Sequence, residues 1–170
     1  KKAIFKKKEL DLNDLAENVA NTFTLRVEHT GGHIQTQLNA KEPTIYVDEM
    51  HFTNVIFNLL DNAVKYKHPD RPVELMIKSW NEGGRLYLSV KDNGIGLKKE
   101  NLKKIFEKFY RVHTGNVHDV KGFGLGLAYV KKIVELHKGE IHVESERGKG
   151  TTFIISLPEI KSGKQTGADE

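Results

Sequence analysis

The chain predicts an α+β fold, a two-layer arrangement in which a mixed, mostly antiparallel sheet lies under three helices. Three observations carry this. Short segments of alternating apolar and polar residues come in pairs joined by glycine-containing turns, three longer segments repeat their apolar residues at helical spacing, and the strands do not alternate regularly with crossover helices as a doubly wound sheet requires. At 170 residues the chain is one domain long. A domain of that size buries roughly 70% of the surface its unfolded chain exposes, enough for a core without covalent staples.

Taken in order, residues 4 to 10 read as extended, and Asp11 or Asn13 can cap a helix carrying Leu15, Val19, Ala20 and Phe23. Gly31 and Gly32 then turn the chain into a strand with Ile34, Thr36 and Leu38 in alternation, and Pro43 separates it from a short strand, Thr44 to Val47. Asp48 is a good N-cap for a long helix from His51 to about Lys67, ended by Pro69 and Pro72. Val73, Leu75 and Ile77, a turn at Gly83 and Gly84, and Leu86, Leu88 and Val90 form a hairpin. After Asp92 to Leu97 come a short polar helix, the pair Phe106 and Phe109, a polar run from Arg111 to Lys121, and a second long helix from the Gly122 cluster to Gly139. Ile141 and Val143, then Phe153, Ile155 and Leu157, make a last hairpin whose turn holds Gly148 and Gly150. The tail from Lys161 to Glu170 lacks periodicity and is expected to be disordered.

Composition excludes several functions. With no cysteine the chain has no disulfide, thiolate zinc site or cysteine nucleophile. Lys and Arg number 27 against 23 Asp and Glu, a net charge of +4 that suits a mixed solvated surface better than nucleic-acid binding. Lys1, Lys2, Lys6, Lys7 and Lys8 cluster with only Phe5 among them, so no stacking groove is implied. The longest apolar run is four residues, Leu127 to Val130, far short of the roughly 20 that cross a bilayer, and a soluble piece is expected. A chain that opens on Lys1 rather than Met is expected to be a fragment of something longer.

Three features point to chemistry. On the long helix Phe52, Val55, Ile56, Leu59, Leu60 and Ala63 share one stripe, and Asn54, Asn58, Asp61, Asn62 and Lys65 share the opposite one. Solvated stripes normally use Glu, Lys and Gln, whereas Asn competes with the helix backbone; an Asn-rich stripe therefore suggests a binding face. Amide oxygens suit a hard cation such as Mg²⁺, and Lys65 suits phosphate. The second feature is DNGIGL, Asp92 to Leu97, at a strand end. Gly94 and Gly96 let a flat ligand approach the backbone, and a buried Asp92 could accept from an exocyclic amine, which adenine carries at its 6 position where guanine has a carbonyl. The third is Gly122-Phe-Gly-Leu-Gly-Leu127 opening a helix, which can turn backbone N–H groups toward phosphate. Its GxGxG spacing without a preceding strand fails the dinucleotide fingerprint, and Gly148-Lys149-Gly150-Thr151 lacks the P-loop frame.

The order of these segments is more specific than any one of them. NLLDNAVKY (58 to 66), DNGIGL (92 to 97), IFEKFYRV (105 to 112), GFGLGLAYVKKIVELHKGEI (122 to 141) and GKGTTF (148 to 153) follow one another as N, G1, F, G2 and G3 boxes, and over about residues 9 to 158 the chain resembles the ATP-binding catalytic domain of bacterial sensor histidine kinases. The resemblance implies the Bergerat ATP-binding fold of the GHKL superfamily, with ATP between the long helix and a mobile lid. It implies that Asn62, helped by Asn58, holds Mg²⁺ on the phosphates, that Lys65 meets the phosphates, and that Tyr66 lies against adenine. Asp92 would take the adenine amino group, Gly94 and Gly96 would line the base pocket, and Thr152 would fall near it. Arg111 would contact phosphate, and Gly122, Gly124, Leu125 and Gly126 would wrap the phosphates. Asp61 stands where relatives carry an acid, which makes Asp61, Asn58 and Lys65 the catalytic candidates, although an imidazole acceptor makes less demand on a general base. Phe106 and Phe109 either join the lid to the core or belong to the core outright.

By the same resemblance the substrate is Mg·ATP and the phosphoryl acceptor is a His on a dimerisation domain. None of the eight His in this chain has the context of that acceptor; His118-Asp119 is followed by Gly122 and Phe123 where a helix and a Pro belong, and His113 and His118 are expected to face solvent. Residues 1–8 are accordingly expected to end a linker, 9–158 to form the catalytic domain, and 159–170 to be a tail. The implied partners are the dimerisation domain and a response regulator, with a homodimeric parent, a monomeric isolated domain, a cytoplasmic location, a membrane sensor as parent, and no nucleic acid or direct membrane contact.

Overall fold

A computed structural model describes residues 4–107 and 126–160. The elements run β1 (Lys7–Asp11), α1 (Leu12–Glu28), β2 (His33–Leu38), β3 (Thr44–Asp48), α2 (Glu49–Lys65), β4 (Glu74–Glu82), β5 (Arg85–Asp92), α3 (Lys99–Leu102), α4 (Gly126–Leu136), β6 (Glu140–Glu146) and β7 (Gly150–Pro158). Five strands form one sheet in the order β2-β4-β5-β7-β6, antiparallel except for the parallel β2–β4 pair. Leu75, Ile77, Leu86, Leu88, Val90, Phe153, Ile155 and Leu157 bury one face of that sheet against α1, α2 and α4. Alternate residues such as Lys78, Tyr87 and Thr152 stand on the other face. The two-layer α+β arrangement is the expected one.

Strand β1 pairs antiparallel with β3 in a separate ribbon, with Lys7 opposite Asp48 and Lys8 opposite Val47. Residues 7 and 8, read from the sequence as extended, are strand; Lys6 N also donates to Asp48 Oδ2 (2.8 Å) and fastens the entry of the chain to the start of α2. Both long N-terminal helices are capped as expected. Asp11 accepts from Asp14 N (3.0 Å) and Asp48 from His51 N (3.0 Å), each satisfying an amide with no partner inside its helix. Helix α1 runs on to Glu28 because Val27 adds a fully buried turn before Gly31, at φ 86°, stops it.

Helix α2 places the site. Phe52, Val55, Ile56, Leu59, Leu60 and Ala63 are buried, each larger side chain contributing about 1.5–3 kcal/mol, while Asn54, Asn58, Asp61, Asn62 and Lys65 keep the opposite stripe. The helix ends at Lys65, two residues before the expected Lys67. Tyr66 leaves helical geometry (φ −98°, ψ 32°), and its carbonyl accepts from Ile95 N (3.0 Å), so the last turn is tied to the loop after β5 instead of continuing toward Pro69.

Candidate functional site

A pocket opens at the C-terminal end of α2. Asn62 and Tyr66 form one wall. Asp92, at the end of β5, and Ile95, Gly96 and Leu97 after it form the floor, and Ile105, Leu127 and Thr151 close the rest. The wall is thus mostly apolar, with one carboxylate set into it.

That carboxylate is 9% exposed. Asp92 Oδ1 accepts from Gly94 N (2.8 Å) and Thr151 N (3.2 Å), and both bonds fall on that one oxygen. Among the described residues none donates to Oδ2, and Asp92 lines the pocket. Burial pushes the Asp92 carboxyl up to about 6, against the two amides, which pull it down. An acid held this way is primed to accept a hydrogen bond from a ligand amine, because a partner for the charged form relieves its desolvation.

Two glycines let the loop close on its neighbours. A Cβ at Gly94 would stand 2.4 Å from Tyr66 O and 3.0 Å from Asp92 Oδ1. Gly96 sits at φ 70°, and a Cβ there would fall 2.1 Å from Glu146 O, so backbone lies on backbone where β6 turns into β7. Gly148 N donates to Ile95 O (2.7 Å) across the same contact, and Leu97 N donates to Ser145 Oγ (2.8 Å).

The Asn stripe is only partly at the pocket. Asn62 lines it, whereas Asn58 sits beside the first turn of α4. Asn58 Nδ2 donates to Asn54 O (2.7 Å), which turns its Oδ1 toward Gly126, where a Cβ would stand 3.1 Å away. Asp61 and Lys65 are not on the pocket wall. Asp61 instead receives Arg26 Nη2 from α1 and Lys65 Nζ from its own helix, both at 3.0 Å. This pairing holds Lys65 beside α2, and it supports α1–α2 packing as much as any general-base role.

The structure corrects one assignment. Thr151, not Thr152, stands at the pocket, because strand alternation puts Thr151 on the same face as Phe153, and Thr152 opposite Lys91 and Glu144 on the outer one. Tyr66, Asp92 and Gly96 line the pocket, and Gly94 supports it from behind. Phe106 packs edge-on against Phe153 (6.2 Å between centroids), joining the core. Arg111, Gly122, Gly124, Leu125, Phe109, His113 and His118 lie outside the described residues. Sequence reasoning missed Ile95, Leu97, Ile105 and Leu127 as wall residues; all but Ile105 lie inside the glycine motifs, between the glycines or next to them. It also missed Arg71, which no motif marks.

Comparison with known proteins agrees with this geometry. The model of the family described as histidine kinase-, DNA gyrase B-, and HSP90-like ATPase matches residues 47–161. Sensor protein RprX of Bacteroides fragilis (strain YCH46) is 64% identical over 134 residues, covering 79% of this chain and 26% of RprX, so the chain spans about a quarter of that relative's length. Full-length ShkA in complex with AMPPNP is 27% identical with a TM-score of 0.81, over 95% of this chain and 33% of that one. The nucleotide-free catalytic domain of histidine kinase ThkA is 25% identical with a TM-score of 0.77, over 91% of this chain and 97% of that one. ThkA in complex with the response regulator protein TrrA, at 23% identity and a TM-score of 0.73 over 93% and 43% of the two chains, shares the fold. With its family boxes in order and the matching fold around them, the chain belongs to the histidine kinase-, DNA gyrase B-, and HSP90-like ATPases, as a catalytic domain of the sensor histidine kinase kind.

Proposed function

We propose that this domain binds Mg·ATP with its adenine in the Asp92 pocket and donates the γ-phosphoryl group to a histidine on a separate dimerisation domain. The observation that carries the reading is Asp92 itself: a buried carboxylate on the pocket wall whose bonds from the described residues both fall on one oxygen, which leaves the other for a ligand. Adenine's 6-amino group supplies the donor that this oxygen lacks, and guanine's 6-carbonyl would oppose it. Tyr66 and the apolar wall would cover the faces of the base. From there the triphosphate would run along the Asn stripe toward α4, where Lys65 can swing from Asp61 to phosphate.

The residues present fit a divalent cation bound chiefly through the nucleotide. Among the described residues no three His, Cys, Asp or Glu cluster as a metal cage. The amide oxygens of Asn62 and Asn58 are hard neutral donors of the kind Mg²⁺ accepts alongside phosphate and water. When bound, the ion would neutralise phosphate charge; Asn62 and Asn58 would hold it in register with Lys65. In the transfer a neutral imidazole nitrogen forms the bond to γ-phosphorus, the bond to the β–γ bridging oxygen breaks, ADP leaves, and the proton on the other ring nitrogen passes to water or a carboxylate. Positioning and charge neutralisation supply most of the catalysis in such a step.

The parent protein is read as a homodimeric sensor whose cytoplasmic part hands the phosphoryl group to a response regulator. RprX supports this by being a sensor protein several times longer than the match, and ThkA by its complex with TrrA. Among the described residues no helix is long and apolar enough to cross a membrane. The test is to incubate the purified domain with γ-labelled ATP, alone and with a separately produced dimerisation domain of a sensor histidine kinase. Acid-labile label on the added domain alone is the expected result. Stable label on this chain, or ATP hydrolysis with no transfer, refutes the proposal.

A further inference from the structure

Arg71 lies behind the pocket, in the loop from α2 to β4. Among the described residues its guanidinium donates only to backbone carbonyls: Nε to Asn93 O (2.9 Å), and Nη2 to Gly94 O (3.3 Å) and Gly148 O (2.6 Å). Asn93 returns the contact. Its Nδ2 donates to Pro72 O (2.9 Å) and its Oδ1 accepts from Glu74 N (2.9 Å). Three segments, the α2–β4 loop, the Asn93-Gly94 turn and the β6–β7 turn, are thus fastened at one side chain whose rigid fork of donors can serve several carbonyls at once.

Arg71 bears on the pocket through a single peptide group. The carbonyl of Asn93 and the N–H of Gly94 belong to one planar trans unit and point in opposite directions. Arg71 Nε holds the carbonyl end, and the N–H at the other end donates to Asp92 Oδ1 at 2.8 Å. Turning that plane to break one bond swings the other. A cation on the carbonyl also polarises the peptide and makes its N–H a stronger donor. We infer that Arg71 is a positioning residue for base recognition, fixing the tilt of the Asn93–Gly94 peptide and with it the direction in which Asp92 Oδ2 faces the pocket. The inference rests on the reading of Asp92 as the group that meets adenine. It goes further in placing selectivity partly on a residue that never touches the ligand.

The test uses adenosine and inosine, which differ in carrying an amino or a carbonyl group at the 6 position, titrated calorimetrically into the wild type, Arg71→Met, Arg71→Lys and Asp92→Asn. Wild type should prefer adenosine by about tenfold or more, the worth of one charge-assisted hydrogen bond, and Arg71→Met should lose about fivefold or more of its adenosine affinity with little change for inosine. Arg71→Lys, able to reach one carbonyl, should fall between. Amide hydrogen exchange separates positioning from general loosening: in both Arg71 variants the Gly94 and Thr151 amides should exchange faster while those of Ile77 and Ile155 do not. An unchanged adenosine preference in Arg71→Met, or equal losses for both nucleosides with uniformly faster exchange, overturns the inference and leaves the base reading standing. If Arg71→Met does not fold, Arg71→Lys and the exchange pattern decide by the same criteria. If wild type shows no preference, or Asp92→Asn keeps it, the base reading itself fails and the inference falls with it.

Discussion

Replacing Asp92 with Asn should make the domain more stable and worse at binding, by amounts the structure sets. In the folded chain burial lifts the carboxyl from 3.8 to about 6, so above that pH the fold carries an ionised group it disfavours. The sign follows from linkage: a carboxyl whose folded value is raised contributes no penalty below 3.8, a growing one as pH rises to about 6, and a constant one beyond. At 1.36 kcal/mol per pH unit the gap from 3.8 to about 6 corresponds to about 3 kcal/mol. Asn keeps an oxygen for the Gly94 and Thr151 amides but brings no charge. Those amides bind a neutral acceptor less strongly, so a net gain of about 1–3 kcal/mol at pH 8 is expected.

For a chain of this size each kcal/mol moves the melting temperature by about 2–4 °C. Thermal melts of wild type and Asp92→Asn from pH 4 to pH 8 should therefore coincide near pH 4 and diverge by several degrees above pH 6. The difference between the two proteins is the quantity to follow, because buried His137, whose ionisation burial disfavours, destabilises both alike as pH falls below its ordinary 6.5. In parallel, adenosine affinity at pH 8 should drop by about 1.5–3 kcal/mol, the worth of a charged hydrogen bond. A mutant no more stable than wild type at pH 8, or one whose advantage persists at pH 4, refutes the desolvation argument. Unchanged adenosine affinity refutes the role given to Oδ2.

Three further outcomes test other parts of the site. Asn62→Ala should weaken Mg·ATP binding while sparing adenosine and leaving the melting temperature unchanged or higher, since Ala is the better helix former; calorimetry with and without Mg²⁺ checks this, and equal losses for both ligands would remove the metal assignment. Gly96→Ala should cost more than about 3 kcal/mol, because to the roughly 1–2 kcal/mol of a left-handed residue it adds a Cβ 2.1 Å from Glu146 O, whereas Gly84→Ala, at φ 78° with open space around it, should cost only the first part in denaturant melts. Arg26→Met should cost about 0.5–1 kcal/mol because the Arg26 side chain is 44% exposed and Asp61 keeps Lys65 as a second partner; a loss above about 3 kcal/mol would mean that Asp61 behaves as a buried charge needing both partners.

The sequence made α2 and Asp92 legible because their signals are local. A helix with an apolar stripe and an opposing Asn stripe announces its buried and its working faces within one element, and DNGIGL marks a strand end where backbone must come close. Thr151 could have been found by the same logic. Phe153, Ile155 and Leu157 fix the core face of β7, and counting back by two from Phe153 reaches Thr151 rather than Thr152. The parallel pairing of β2 with β4 was not legible, since no turn joins those strands and their register depends on β3 and α2 carrying the chain from one to the other. Arg71 was hidden for a different reason: its partners are carbonyls of residues 93, 94 and 148, and backbone groups look alike in any sequence.

Asp92 makes the shape of this pocket a question of backbone geometry. Among the described residues every partner of the carboxylate is an amide, from Gly94 and from Thr151, and each amide is held by a contact that a side chain at Gly94 or Gly150 would prevent. A carboxylate satisfied by other side chains would keep its charge cheaply and have little to gain from a ligand. Here burial pushes the carboxyl up to about 6 although two amides hold one oxygen, and among the described residues the second oxygen has no donor. The instability of the empty pocket and its preference for an amine then have the same origin. A mutation that relieves the first must weaken the second, which is why stability and base affinity at position 92 are expected to move in opposite directions.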